Sequence, residues 1–108
     1  MAQLWTVELA HKASEDLDQV ILHTEEKFRR DQAVRYSAVI GNALQELSRS
    51  GPAHPLAKER SEVLPGILSM QVQRAGKKAR HILFFKEHEQ KIVIVRILHE
   101  SMDFREHL

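Results

Sequence analysis

With 108 residues, no cysteine and a formal charge of +1, the chain excludes several classes of protein at once. It can carry neither a disulfide framework nor a thiolate metal site, and its charge is far below the positive field of a dedicated nucleic-acid binder. No apolar run approaches the ~20 residues of a membrane helix, and the opening MAQLWTVELAHKASEDL lacks the basic and apolar regions of a signal peptide, so a soluble cytoplasmic protein is expected.

A chain of this length fits one domain, residues 1–108, able to bury roughly two-thirds of its unfolded surface. Charge is uneven along it: residues 1–50 hold six basic and eight acidic side chains, residues 51–108 ten and seven. The second part also carries five of the seven histidines. An anionic partner is compatible with this balance without being required by it.

From Gln3 to Leu9 the residues alternate, Trp5, Val7 and Leu9 on one side, which predicts a short strand. At His11 the period changes. Ala13, Leu17, Val20, Ile21, Thr24 and Phe28 recur at helical spacing, with Glu15, Asp16 and Asp18 near the start, where the helix dipole favours acid. Ala33, Tyr36, Ile40, Ala43, Leu44 and Leu47 form a second helical set, with Asp31 as the expected N-cap and Gly51-Pro52 as the stop. The connection at Arg30-Asp31 is too short for anything but an antiparallel helical hairpin.

Residues 50–66 hold all three prolines and read as an ordered surface connection. Three strands follow: the alternating Leu68–Gln73, then Arg80–Lys86 after a turn at Gly76-Lys77-Lys78, then Ile92–Leu98 after the polar turn Glu87-His88-Glu89-Gln90. Short turns make these an antiparallel meander, and the last strand, apolar on both faces, is expected centrally. The predicted class is α+β, in the order β-α-α-β-β-β, with a helical hairpin packed on a mainly antiparallel four-stranded sheet.

Candidate chemistry is thin. Strict alternation puts Arg96 on one face with Ile92, Ile94 and Leu98, and His99 on the other with Val93, Val95 and Ile97. An arginine in an apolar row needs a partner, for which Asp103 or Glu100 is nearest in sequence; otherwise it is an exposed cation that contacts another molecule. His81 and His99 have the chemistry of a general acid–base pair, but seven histidines in one small chain make such pairs cheap. His54, His81, His88, His99 and His107 fit no metal-site spacing, so neither metal nor cofactor is expected. Arg74, Lys77, Lys78 and Arg80 bracket a hairpin turn, ordinarily a solvated one, otherwise a phosphate-facing rim. Leu22, Val34 and Val39 fall off the helical seam and mark an apolar strip that a partner helix would fit.

Four local patterns resemble the ParE/RelE toxin superfamily along nearly the whole chain. Ala13-x-x-Asp16-Leu17-x-x-Val20 is similar to its first helix and Gln32-Ala33-x-x-Tyr36 to the start of its second. Arg80-His81-Ile82-Leu83-Phe84-Phe85-Lys86 resembles its penultimate strand. Ile94-x-Arg96-Ile97-Leu98-His99-x-x-Met102-Asp103 resembles the closing signature of the ParE branch, and is the most specific of the four.

The resemblance implies a bacterial type II toxin neutralised by a small ParD-like antitoxin. ParE-like members poison DNA gyrase, whereas RelE-like members cleave messenger RNA on the ribosome with Arg, Lys and commonly Tyr. Met102-Asp103-Phe104 stands where RelE-like chains carry a basic, Tyr-containing segment, and the only tyrosine, Tyr36, is expected in the core, so the sequence sides with ParE. No catalytic residue is then expected. Arg80, His81, Arg96, His99, Met102 and Asp103 become candidates for contact with gyrase, and Leu22, Val34 and Val39 for contact with the antitoxin. No membrane and no sequence-specific nucleic acid are expected as partners. The alternative is ribosome-dependent RNA cleavage, with Arg80, Arg96 and His81 pressed into service.

Overall fold

Residues 4–108 are described by a computed structural model. The alternation near the start becomes β1 (Thr6–Leu9), whose Val7 and Leu9 pack inward beside Trp5; Gln3 lies outside the described residues. Helix α1 (His11–Lys27) and helix α2 (Arg30–Ser50) form the expected hairpin. Neither starts with a side-chain cap: Arg29 occupies the N-cap of α2, and Asp31 lies in the first turn instead of capping it. Glu15, Asp16 and Asp18 fall beyond the first turn of α1, where the dipole gives them little.

Gly51 ends α2 at φ +58°, the left-handed region open to glycine, and its N–H returns to the Leu47 carbonyl. A side chain there would also strike the Trp5 indole. The chain before β1 is tied to the same place, since the Trp5 N–H donates to the Ser48 carbonyl at 2.7 Å and Ser48 Oγ to the Trp5 carbonyl at 3.0 Å.

The segment 50–66 is more structured than a surface connection. A single 3-10 turn (Gly51–Ala53) leads to the buried His54, whose Nδ1 accepts the Leu56 N–H, and then to β2 (Ala57–Glu59). Among the described residues the sheet therefore has five strands, not four, in the order β1-β5-β4-β3-β2. Strands β3 (Leu68–Arg74), β4 (Lys77–His88) and β5 (Lys91–His99) form the meander, β2 adds antiparallel to β3, and β1 runs parallel to β5. The hairpin turns are tighter than expected, Ala75-Gly76 and Glu89-Gln90, each with both residues at positive φ. Strand β4 is accordingly longer than Arg80–Lys86 and takes the middle of the sheet, with β5 beside it.

The helices cover one face, where Ala13, Ile40 and Leu47 meet Met70, Val72, Leu83, Phe85, Ile92 and Ile94. The opposite face carries a smaller cluster of Ile67, Ile82, Phe84 and Leu98, closed by Val63, Leu64, Phe104 and Leu108. A short helix α3 (Phe104–His107) thus folds the tail over the sheet. No helix among the described residues is long and apolar enough to cross a membrane.

One irregularity decides where the candidate residues point. Phe84 pairs with Arg96 but Phe85 with Ile94, so Val95 has no opposite number and bulges. Alternation is broken there. Ile97 joins Ile92 and Ile94 on the helical face, whereas Leu98 falls with Val95 on the other, correcting both groupings expected from strict alternation.

Candidate functional site

Strand β1 pairs with β5 only from Lys91 to Ile94, so among the described residues the second half of β5 has no strand on its outer side. The Asp16 carboxylate of α1 takes that place. It accepts the Ile97 N–H at 2.9 Å and both Nε and Nη2 of Arg96 at 2.8 Å. Arg96 Nη1 donates to the His107 carbonyl at 2.8 Å, so one side chain ties first helix, last strand and tail. The carboxylate shifts the guanidinium further toward its protonated form. The arginine thus has a structural partner, but Asp16 in place of Asp103 or Glu100. Asp103 instead caps α3, accepting the Arg105 N–H at 3.1 Å, and Glu100 pairs with Lys78 and Arg80, both at 3.2 Å. Those cations, Lys78 foremost, hold the Glu100 carboxyl below its usual range.

On the helical face His81 and His99 lie opposite each other in the ladder, ring centroids 5.3 Å apart and nearly perpendicular. The Tyr36 hydroxyl is 2.7 Å from His81 Nδ1. Tyr36 is therefore not a core residue: its ring packs against the main cluster while its hydroxyl reaches the histidine. Burial, followed by the neighbouring His99, pushes His81 down to about 4, and burial also raises Tyr36 above its ordinary value. Near neutral pH the ring is uncharged and the phenol protonated, so we assign Tyr36 as donor to Nδ1, which leaves the imidazole proton on Nε2. Register slips between Gln71 and Gln73, and the Gln71 amide donates to the Ala79 carbonyl at 2.7 Å and the His81 carbonyl at 3.3 Å, bracing β4 where this pair sits.

The Tyr36–His81–His99 row floors a groove between the C-terminal half of α1 and the ends of β4 and β5. One half, about 480 Å³, is bounded by Asp16, Ile97, Ser101 and Met102; the other, about 490 Å³, by Lys27, Phe28, Gln32, Arg74 and Arg80. Phe28, expected on the seam, is 64 % exposed here. The groove thus gathers Arg80, His81, His99 and Met102 from the expected contact set and leaves out Arg96 and Asp103. Leu22 and Val34 are exposed as expected, but Val39 packs against the core. No group of three or more metal-ligating side chains is assembled among the described residues.

Sequence reasoning missed Asp16 and Tyr36 as site residues. For Asp16 a signal existed: it stands three residues after Ala13 and four before Val20, on the buried seam of α1, where a charge demands a partner.

A family model for the ParE toxin of the type II toxin–antitoxin system parDE matches residues 7–104. The chain belongs to the ParE toxin family. Its fold is shared with solved ParE-type and RelE-type toxins. A chain of the chromosomal ParDE system from P. aeruginosa superposes with a TM-score of 0.73 at 18 % identity, over 90 % of this chain and 97 % of the other. A chain of the toxin–antitoxin complex RelBE2 from Mycobacterium tuberculosis superposes with a TM-score of 0.62 at 20 % identity, over 90 % and 99 %. No curated protein matches. The ParE match runs from Val7 to Phe104, so it takes in β1 apart from Thr6, β2 through β5 and the whole Tyr36–His81–His99 row.

Proposed function

We propose that this ParE-family chain inhibits DNA gyrase by direct protein binding and is neutralised by a ParD-like antitoxin. Cleavage of RNA without a metal requires a cation free to meet the phosphate, together with an acid and a base. The observation that carries the reading is that Arg96 is spent: three of its N–H groups are committed to Asp16 and the His107 carbonyl. A ribonuclease reading would have to rest on the groove cations Lys27, Arg74 and Arg80 with a largely neutral His81, without the strand arginine that the sequence singled out.

In this reading the gyrase-contacting surface is the end of the sheet with Arg80, His99 and Met102, next to the basic turn at Lys77 and Lys78. The antitoxin lays a helix along the hairpin, where Leu22 and Val34 are 49 % and 61 % exposed on neighbouring helices. The neighbours from P. aeruginosa and M. tuberculosis, which come from toxin–antitoxin systems, support a partner of that kind.

The test is a supercoiling reaction with purified gyrase, plasmid and this protein freed of antitoxin. Linear DNA accumulating after denaturation, with plasmid intact when gyrase is omitted, supports the proposal. Unaffected gyrase in the presence of folded protein sinks it and turns attention to ribosome-dependent RNA cleavage. Val34→Asp should leave the fold and gyrase inhibition intact while weakening neutralisation by antitoxin.

A further inference from the structure

The basic half of the groove carries two cations, Lys27 and Arg74, that the proposed gyrase contact does not use. Lys27 from the last turn of α1, Arg74 from the end of β3 and Arg80 from β4 border it, and among the described residues no carboxylate lines it. Arg80 shares Glu100 with Lys78, whereas neither Lys27 nor Arg74 forms an ion pair among the described residues. Cations converging on one hollow from three elements repel one another until an anion sits between them. The hollow, about 490 Å³, has the size of a small-ligand site.

Its walls narrow the chemistry of that anion. Phe28 presents a largely exposed ring just beyond the end of α1, and the half-buried Tyr36 ring lies on the neighbouring helix. Exposed aromatic faces beside cations are the usual means of holding a base and its phosphate. Gln32 adds an amide that both donates and accepts, suited to the edge of a base, and the Nε2–H of His81 is a neutral donor. An acidic peptide would use the cations and leave these flat faces idle.

We propose that this groove binds a nucleotide, its phosphate among Lys27, Arg74 and Arg80 and its base against Phe28 and Tyr36. The site does not depend on gyrase being the target. Two sources share this chemistry, a free mononucleotide and the phosphorylated end of a single strand.

The experiment is a titration of the isotope-labelled full chain with adenosine 5′-monophosphate, a short 5′-phosphorylated oligothymidylate and inorganic phosphate, following the ring signals of His81 and His99. The nucleotide should shift both signals, and Lys27→Ala with Arg74→Ala should weaken its binding at least about tenfold, as expected on losing charge-assisted bonds. All of these changed side chains are exposed, so a native-like spectrum is expected for each variant. Phe28→Ala should weaken the nucleotide and leave inorganic phosphate unchanged. Tighter binding of the oligothymidylate assigns a strand end, and equal or tighter binding of the monophosphate a free nucleotide. The proposal is overturned if neither ligand shifts the signals, if the double variant binds like the parent, or if inorganic phosphate binds as tightly as both.

Discussion

Asp16 and Arg96, eighty positions apart, are joined by two hydrogen bonds of 2.8 Å, with side chains only 15 % and 17 % exposed. A pair this sheltered is expensive to break from one side, because the remaining charge stays buried without a partner. Asp16→Ala should lower stability by about 2–3 kcal/mol, the Ile97 N–H losing its acceptor as well. In a double-mutant cycle with Arg96→Ala the two losses should be far from additive. Additive losses would mean that the pair contributes nothing beyond its separate contacts.

The His81 ring gives stability a defined dependence on pH. Its folded value of about 4 lies below the ordinary 6.5. Between the two the unfolded chain holds a proton that the folded chain does not, so stability is complete above pH 6.5 and falls as the pH drops toward 4. Partial exposure of the ring screens the effect to about 1–2 kcal/mol. Denaturant titrations from about pH 7 down to about pH 4.5 should show His81→Gln losing less stability than the parent over this range. Equal slopes for the two proteins would contradict the assignment.

Phe104 connects tail and sheet. Its ring centroid is 4.8 Å from that of Phe84, and the Arg60 guanidinium lies 5.3 Å from the one and 5.9 Å from the other. Phe104→Ala should cost about 1–2 kcal/mol, less than a fully buried phenylalanine because this one is partly open to solvent. Deleting Met102–Leu108 should do more harm, baring the Phe84 face and removing an acceptor from Arg96. A truncated chain that melts like the parent would refute this. Loss of toxicity on truncation therefore says little about contact with a target, for which Met102→Ala, at an exposed position, is the better probe.

Gly51→Ala combines a left-handed backbone with a collision against the Trp5 indole. It should destabilise by about 2–3 kcal/mol, more than the backbone preference alone would predict. Pairing it with Trp5→Ala, which opens the space, separates the two causes. If the glycine substitution costs the same in that background, the indole plays no part.

Most of the fold was legible because it is written in local periods. Helical spacing from Ala13 to Leu47 and alternation at Leu68–Gln73 reflect burial on one side of an element, which each residue signals for itself. Strand β2 has no such signal: Ala57-Lys58-Glu59 is short and lies at the sheet edge, with only Ala57 packed inward. The bulge at Val95 is hidden for the opposite reason. In an unbroken apolar run either face accepts any residue, so a slip leaves no trace in the sequence. That slip put Ile97 with Ile92 and Ile94. The candidate site fared worse than the fold, since Asp16 with Arg96 and Tyr36 with His81 meet across long separations. The family patterns contain Asp16, Tyr36, His81 and Arg96, but not the pairing among them.

The parallel pairing of β1 with β5 has a consequence for how the molecule is made. Thr6 meets Lys91, so the first strand finds its neighbour only after the rest of the sheet has been synthesised. A chain growing from its N-terminus can assemble the helical hairpin early, but it cannot close the sheet or seat Asp16 on its edge until β5 appears. Closing so long a loop slows folding and makes it cooperative. The groove, whose floor includes His99, is among the last features to form, and a product broken off before β5 would have no finished surface to present.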